Sequence, residues 1–221
     1  MTGMARTTRR RALIGVVTAV SALVGLGTYL LWPAPTLDAT DLDTVLPTER
    51  DLPGFIPYDG LTGTLSVSPD NDEGRSVLAE ADLDEQCRTW REEGDGWACR
   101  QVRGVGMVVL EQSENVFFRV LSTVLAYDDE EAAEAAWNGL AADQRRTSGE
   151  LPDFEERPSD LGDAGVVFEV PGVTVMAVRT GTVVVESIVW DGSGQVGEQE
   201  ERDMVARWPA LQLAKIEEQL D

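Results

Sequence analysis

Forty carboxylates, two cysteines and no histidine bound the chemistry open to this chain of 221 residues. Without an imidazole there is no Ser–His–Asp or Cys–His nucleophile and no histidine-ligated metal, so the chain reads as a non-enzyme. A carboxylate pair of the glycosidase kind could be drawn almost anywhere among so many acids, and the sequence singles none out. Cys87 and Cys99 are too few for a zinc set, which needs further thiols or imidazoles. They are expected instead to form a disulfide, closing a loop that holds Trp90 and the turn residues Gly94-Asp95-Gly96. On chain entropy such a bridge stabilises a fold by about 3 kcal/mol.

Two further patterns have to be weighed against plainer readings. Gly192-Ser193-Gly194-Gln195-Val196-Gly197 spells G-x-G-x-x-G between an expected strand and an expected helix. Glu198, Glu200 and Glu201 would oppose a pyrophosphate at that helix start, and no second βαβ unit follows, so a connector is the better reading. Asp70-Asn71-Asp72-Glu73-Gly74 offers hard oxygen ligands, yet the glycine and distal glutamate of a calcium loop are out of place, which favours a solvated turn. The sequence therefore assigns no catalytic, cofactor-binding or metal residue and implies no cofactor.

From Ala12 to Trp32 the chain runs 21 residues without a charge. At about 1.5 Å rise per residue this crosses the roughly 30 Å hydrocarbon core. Arg9, Arg10 and Arg11 precede the run and the first acid, Asp38, follows it, so the N-terminus is expected in the cytoplasm and the C-terminal side outside. Tyr29 and Trp32 would lie at the outer interface, and Pro33 and Pro35 would end the helix. A cleaved signal peptide, for which Thr8-Arg9-Arg10-Arg11 loosely follows the twin-arginine pattern, is the rival reading. It is disfavoured by the length of the run and by the lack of a small-x-small site, and a lipoprotein by the lack of a cysteine at its end. The organisation expected is a basic tail at 1–11, a transmembrane helix at 12–32, a linker at 33–45 and an extracytoplasmic domain at 46–221. An oxidising compartment there suits the disulfide.

Beyond the hydrophobic run, fourteen basic residues face all forty acids, a formal −26. Such a surface repels phosphate backbones, so nucleic acid is excluded as a partner, while cations, basic peptides and amines stay compatible. Acidity of this kind also serves solubility alone.

The apolar fraction of 43% is enough for one packed domain. Leu61–Val67 reads as a first strand, Gly74–Leu83 as a short helix, and Val105–Leu110 and Val116–Tyr127 as strands. Both alternating sets of Val116–Tyr127 are apolar, which predicts a central strand buried on two faces. Asp128 reads as N-cap of an alanine-rich helix to about Gln144, with Glu131 completing a capping box and Trp137 on the inner stripe. Ala164–Val170, Val173–Arg179 and Val183–Trp190, separated by Pro171-Gly172 and Thr180-Gly181, predict an antiparallel meander. Gln199–Leu220 is helical by period, with Pro209 kinking or dividing it. The predicted class is α+β, an antiparallel β-sheet with helices packed on one face.

Four runs carry a family resemblance: LPTERDLPGF at Leu46–Phe55, VLAYDDEEAAEAAW at Val124–Trp137, DLGDAGVVF at Asp160–Phe168 and VRTGTVVV at Val178–Val185. With them the chain resembles a diffuse group of actinobacterial exported domains that occur as lipoproteins, as anchored proteins and as sensor regions of membrane serine/threonine kinases. The resemblance implies an α+β domain with a cleft that binds or senses something in the envelope. The chain departs from the kinase sensors in having one candidate bridge where they have two, and in a cytoplasmic tail too short for a kinase. The leading expectation is a membrane-anchored extracytoplasmic binding or sensor-like protein whose small-molecule ligand lies between sheet and helices. A module docking another envelope protein is the alternative, and a non-histidine hydrolase the remote one. A deep pocket, an exposed apolar patch and converging carboxylates, respectively, would separate them.

Overall fold

The computed structural model describes residues 35–58, 74–192 and 198–220. They form one compact unit that begins at Pro35. Its centre is an eight-stranded, wholly antiparallel sheet of β1 (Phe55–Pro57), β2 (Arg75–Ala79), β3 (Val102–Gln112), β4 (Asn115–Tyr127), β5 (Glu155–Pro158), β6 (Ala164–Val170), β7 (Val173–Thr180) and β8 (Val183–Asp191). The spatial order is β1-β3-β4-β8-β7-β6-β5, with β2 also paired to β3. The predicted meander is present: β5 to β8 run back and forth in sequence until β8 reaches β4.

Four helices complete the unit: α1 (Ala39–Val45), α2 (Glu80–Glu93), α3 (Glu130–Ser148) and α4 (Glu198–Leu220). They do not share one face of the sheet, which corrects the one-sided arrangement expected. Leu42 and Val45 of α1 and Trp208, Leu213 and Ile216 of α4 pack with Phe118, Val120, Val124 and Ala126 of β4. Leu83, Cys87 and Trp90 of α2 and the alanines of α3 pack with Leu121, Leu125 and Tyr127 on the other side. The cause was already visible in β4, since a strand apolar on both faces needs a layer over each.

The expected linker at 33–45 is also corrected, because from Pro35 onward the chain belongs to the domain. Asp38 caps α1, accepting from the Thr40 and Asp41 amides at 2.7 and 3.0 Å, while the Asp41 carboxylate accepts from the Asp38 amide at 2.9 Å. This reciprocal box starts a helix too short to persist alone, and burial of Leu42, Val45 and Leu46 holds it. Leu37 is buried as well, and the Thr182 hydroxyl donates to the Pro35 carbonyl at 2.9 Å.

Other expectations shift by smaller amounts. Gly74–Leu83 is not one helix: residues 75–79 pair with β3 and α2 starts at Glu80. Asp129, not Asp128, caps α3, accepting from the Ala132 amide at 2.8 Å. Asp128 still belongs to the strand end, its amide bonded to the Gln101 carbonyl and its carboxylate to Arg103. Pro209 lies inside α4 without dividing it. The alanines of α3 pack on the sheet, and at Gly139 the helix meets the short turn Gly96–Cys99, where a Cβ would stand 2.7 Å from Trp97. Trp137 does reach the sheet, its indole N–H donating to the Ala177 carbonyl at 3.2 Å.

Leu61–Val67, the Asp70–Glu73 acids, residues 193–197 of the glycine motif and the apolar run 12–32 lie outside the described residues. Among the described residues no helix is long and apolar enough to cross a membrane.

Candidate functional site

The β1–β3 edge is built in an unusual way. Pro57 pairs with Leu110, the Tyr58 amide donates to the Val109 carbonyl, the Val109 amide donates to the Gly74 carbonyl, and Arg75 pairs with Val108. β1 and β2 thus act as a single edge strand, spliced from two chain segments that meet opposite Val109. Only glycine fits the meeting point. Gly74 has φ +61°, and a Cβ there would stand 2.6 Å from the Val109 oxygen and 2.7 Å from the Tyr58 nitrogen.

A cleft of about 480 Å³ opens over this splice, on the α1/α4 face. Its floor is Val108 and Leu110, both buried in the core, flanked by Pro57 and Arg75; Pro47, Thr48, Glu49 and Arg50 form the far wall. That wall is pinned. The Asp51 carboxylate accepts from the Thr48 amide at 2.8 Å, from the Thr48 hydroxyl at 3.0 Å and from the Lys215 ammonium of α4 at 2.7 Å. Burial pushes the Asp51 carboxyl up, but the Lys215 bond and the Thr48 donors outweigh it and hold the group below its ordinary range. Arg75 is fixed from the other side, donating to the Asp43 carbonyl and lying 3.1 Å from the Asp43 carboxylate at the end of α1. A volume of this size falls in the range of small-molecule sites, and its lining divides evenly between the apolar Pro47, Pro57, Val108 and Leu110 and the polar Thr48, Glu49, Arg50 and Arg75.

On the opposite face of the splice, the Arg119 guanidinium lies 3.7 Å from the Tyr58 ring centre and 4.9 Å from that of Trp190. Glu111 is its ion-pair partner at 3.5 Å. Two cation–π contacts and a carboxylate make this a rigid plug at the end of the sheet. Ile56 and Phe117, at 41% and 54% exposure, are large apolar side chains left open at the same end.

A third polar group sits mid-sheet. Glu186 of β8 is fully buried, and its carboxylate accepts from the Gln144 amide of α3 at 3.3 Å. Its cross-strand neighbours are Thr123 and Ala177. Near the outer ends of α2 and α3, burial and then the adjacent Asp143 raise the Asp95 carboxyl, against a hydrogen bond with Trp97.

The expected disulfide is present. Cys87 of α2 is bonded to Cys99 of the short turn Gly96–Cys99, with Cα atoms 5.6 Å apart. The turn packs on β4 through Tyr127, whose hydroxyl donates to the Ala98 carbonyl at 3.0 Å and whose phenol is pushed up by burial. Cys87 belongs to the core face opposite the cleft, so the bridge braces the fold and does not line the site. Among the described residues no group of acids and cysteines converges as a metal site would require. The cleft residues Arg50, Pro57, Arg75, Val108 and Leu110 were not singled out from sequence. Arg50 stands in the LPTERDLPGF run, where an arginine between acids was the available signal.

No family model matches the chain, and no curated protein is similar to it. Among solved structures, it is similar to the extracellular domain of PknH from Mycobacterium tuberculosis. The identity is 11%, over 80% of this chain and 98% of that one, with a TM-score of 0.43. The likeness is loose.

Proposed function

We propose that this protein is a membrane-anchored extracytoplasmic binding or sensor-like module, held by residues 12–32 with its N-terminus in the cytoplasm and taking a small ligand in the cleft over the spliced edge. The observation that carries the binding reading is the pinned wall at Pro47–Arg50: a pocket whose sides are fixed before binding spends little affinity on ordering them. The charge asymmetry around residues 12–32 supports the anchoring and its direction. Alkaline phosphatase fused to the C-terminus should be active, and the protein should stay in the membrane fraction after a high-salt wash. Activity of a cytosolic reporter alone would overturn the orientation. Ligand binding is read separately, by exchange protection of residues 47–57 on titration of wall fragments and small envelope metabolites.

The exposed Ile56 and Phe117 favour, as a second reading, a module that docks another envelope protein. An Ile56→Ser/Phe117→Ser variant that lost a partner while keeping cleft binding would assign the two activities to the two faces.

A further inference from the structure

We propose that the ligand of the cleft is an anion with a short apolar body, its carboxylate or equivalent acidic group received by Arg50. This rests on the reading of the cleft as a binding site and adds the chemical class of what fills it. The domain as a whole repels anions, with forty acids against fourteen basic residues beyond the apolar run. The cleft departs from that balance, since Arg50 and Arg75 line it beside Glu49, and with Arg75 paired to Asp43 the local charges cancel where the surrounding surface is strongly negative.

The two arginines are not equivalent. Arg75 is committed to Asp43 through the Asp43 carbonyl and carboxylate. Arg50 is exposed at the rim and, among the described residues, has no carboxylate within ion-pair distance. Its neighbour in sequence, Asp51, is the obvious candidate to neutralise it, but Asp51 is occupied by Lys215 and by both donors of Thr48. The guanidinium is therefore available as a planar donor of up to five N–H groups, the geometry that receives a carboxylate in bidentate fashion. Below it, Val108, Leu110, Pro47 and Pro57 offer no hydrogen-bond donors from their side chains and suit an apolar body.

The test uses the full chain in a neutral maltoside micelle, titrated with phenylbutyrate and with its uncharged counterpart phenylbutyramide. Hydrogen exchange of residues 47–57 and 104–112 and calorimetric affinity are read together, with the Arg50→Gln protein in the same micelle to cancel partitioning into detergent. Phenylbutyrate should protect both segments in the unaltered chain and weaken about tenfold in Arg50→Gln, the loss expected for one charge-assisted pair. Arg50→Lys should recover only part of it, and the melting temperature should stay unchanged in both variants. If the amide protects as strongly as the acid and Arg50→Gln changes nothing, the anionic class is overturned while the cleft remains a binding site. If neither compound protects either segment, the cleft reading falls together with the inference.

Discussion

Leu42 decides whether residues 39–45 are a tether or part of the core. Its side chain is fully buried, and its Cδ1 lies 2.5 Å from where a Cβ on Gly104 would be, so the leucine fills a notch that β3 leaves by having a glycine there. Leu42→Ala should then cost about 3 kcal/mol, within the range for buried leucines whose cavity does not collapse. Gly104→Ala intrudes only on the far end of a flexible side chain, so a smaller cost of about 1 kcal/mol is expected. The two losses should not add. In Leu42→Ala/Gly104→Ala the new methyl occupies the space left by the leucine, and a favourable coupling of about 1–2 kcal/mol should appear in the cycle. Urea unfolding of residues 35–221, followed by tryptophan fluorescence, measures all four corners. A cost below about 0.5 kcal/mol for Leu42→Ala, the scale of an ordinary surface change, would refute the placement of α1 in the core.

Reducing the Cys87–Cys99 bridge, or replacing both residues by serine, should lower the stability of the domain by about 3 kcal/mol, read as a drop in urea midpoint, and an unchanged midpoint would count against the bridge. The Asp51 carboxyl is held low, so its stabilising contribution is complete above the ordinary carboxylate pKa and is lost as pH falls through the lower, folded value. Lys215→Gln should therefore destabilise at neutral pH and flatten the acid limb of the stability profile, whereas parallel limbs for the two proteins would refute the link. Gly74→Ala puts a methyl against three backbone atoms at a positive φ and should cost at least about 2 kcal/mol, with the Val109 amide losing exchange protection first.

What the sequence disclosed follows the range of the physics involved. The meander from Ala164 to Asp191 could be read within a residue because its period-two runs and two-residue turns are local properties. Likewise the disulfide could be read from the presence of just two cysteines, twelve positions apart. α1 is hard to read because its seven residues carry three apolar positions among polar ones, and the acids at its start, Asp38 and Asp41, turn out to be its own capping box. The cap at Asp129 was misplaced by one because Arg103 and Gln101, more than twenty residues upstream, hold Asp128 in the strand. Two-sided coverage of the sheet was implicit in the double apolar pattern of β4, and its consequence for the helices followed only once β4 was seen between β3 and β8.

The cleft was illegible for a stronger reason, since no local window contains it. Its wall comes from residues 47–50, its flanks from Pro57 and Arg75, and its floor from Val108 and Leu110. These meet only because two chain segments complete one edge strand against β3, a pairing that depends on hydrogen bonds to both sides of Val109. The splice also fixes which face each residue serves: Pro57 turns toward the cleft, and its neighbour Tyr58 turns to the other side to cover Arg119. A ligand pressing on Pro57 therefore bears on the same backbone that seats the Tyr58 ring over the guanidinium, and Trp190 closes that stack from the far side. If the ring stack shifts when the cleft fills, Trp190 fluorescence should report occupancy from the opposite face of the sheet. The Tyr58→Leu protein should bind as well as the unaltered chain but lose that optical response. A response of equal size in both would show that the two faces are not coupled through the splice.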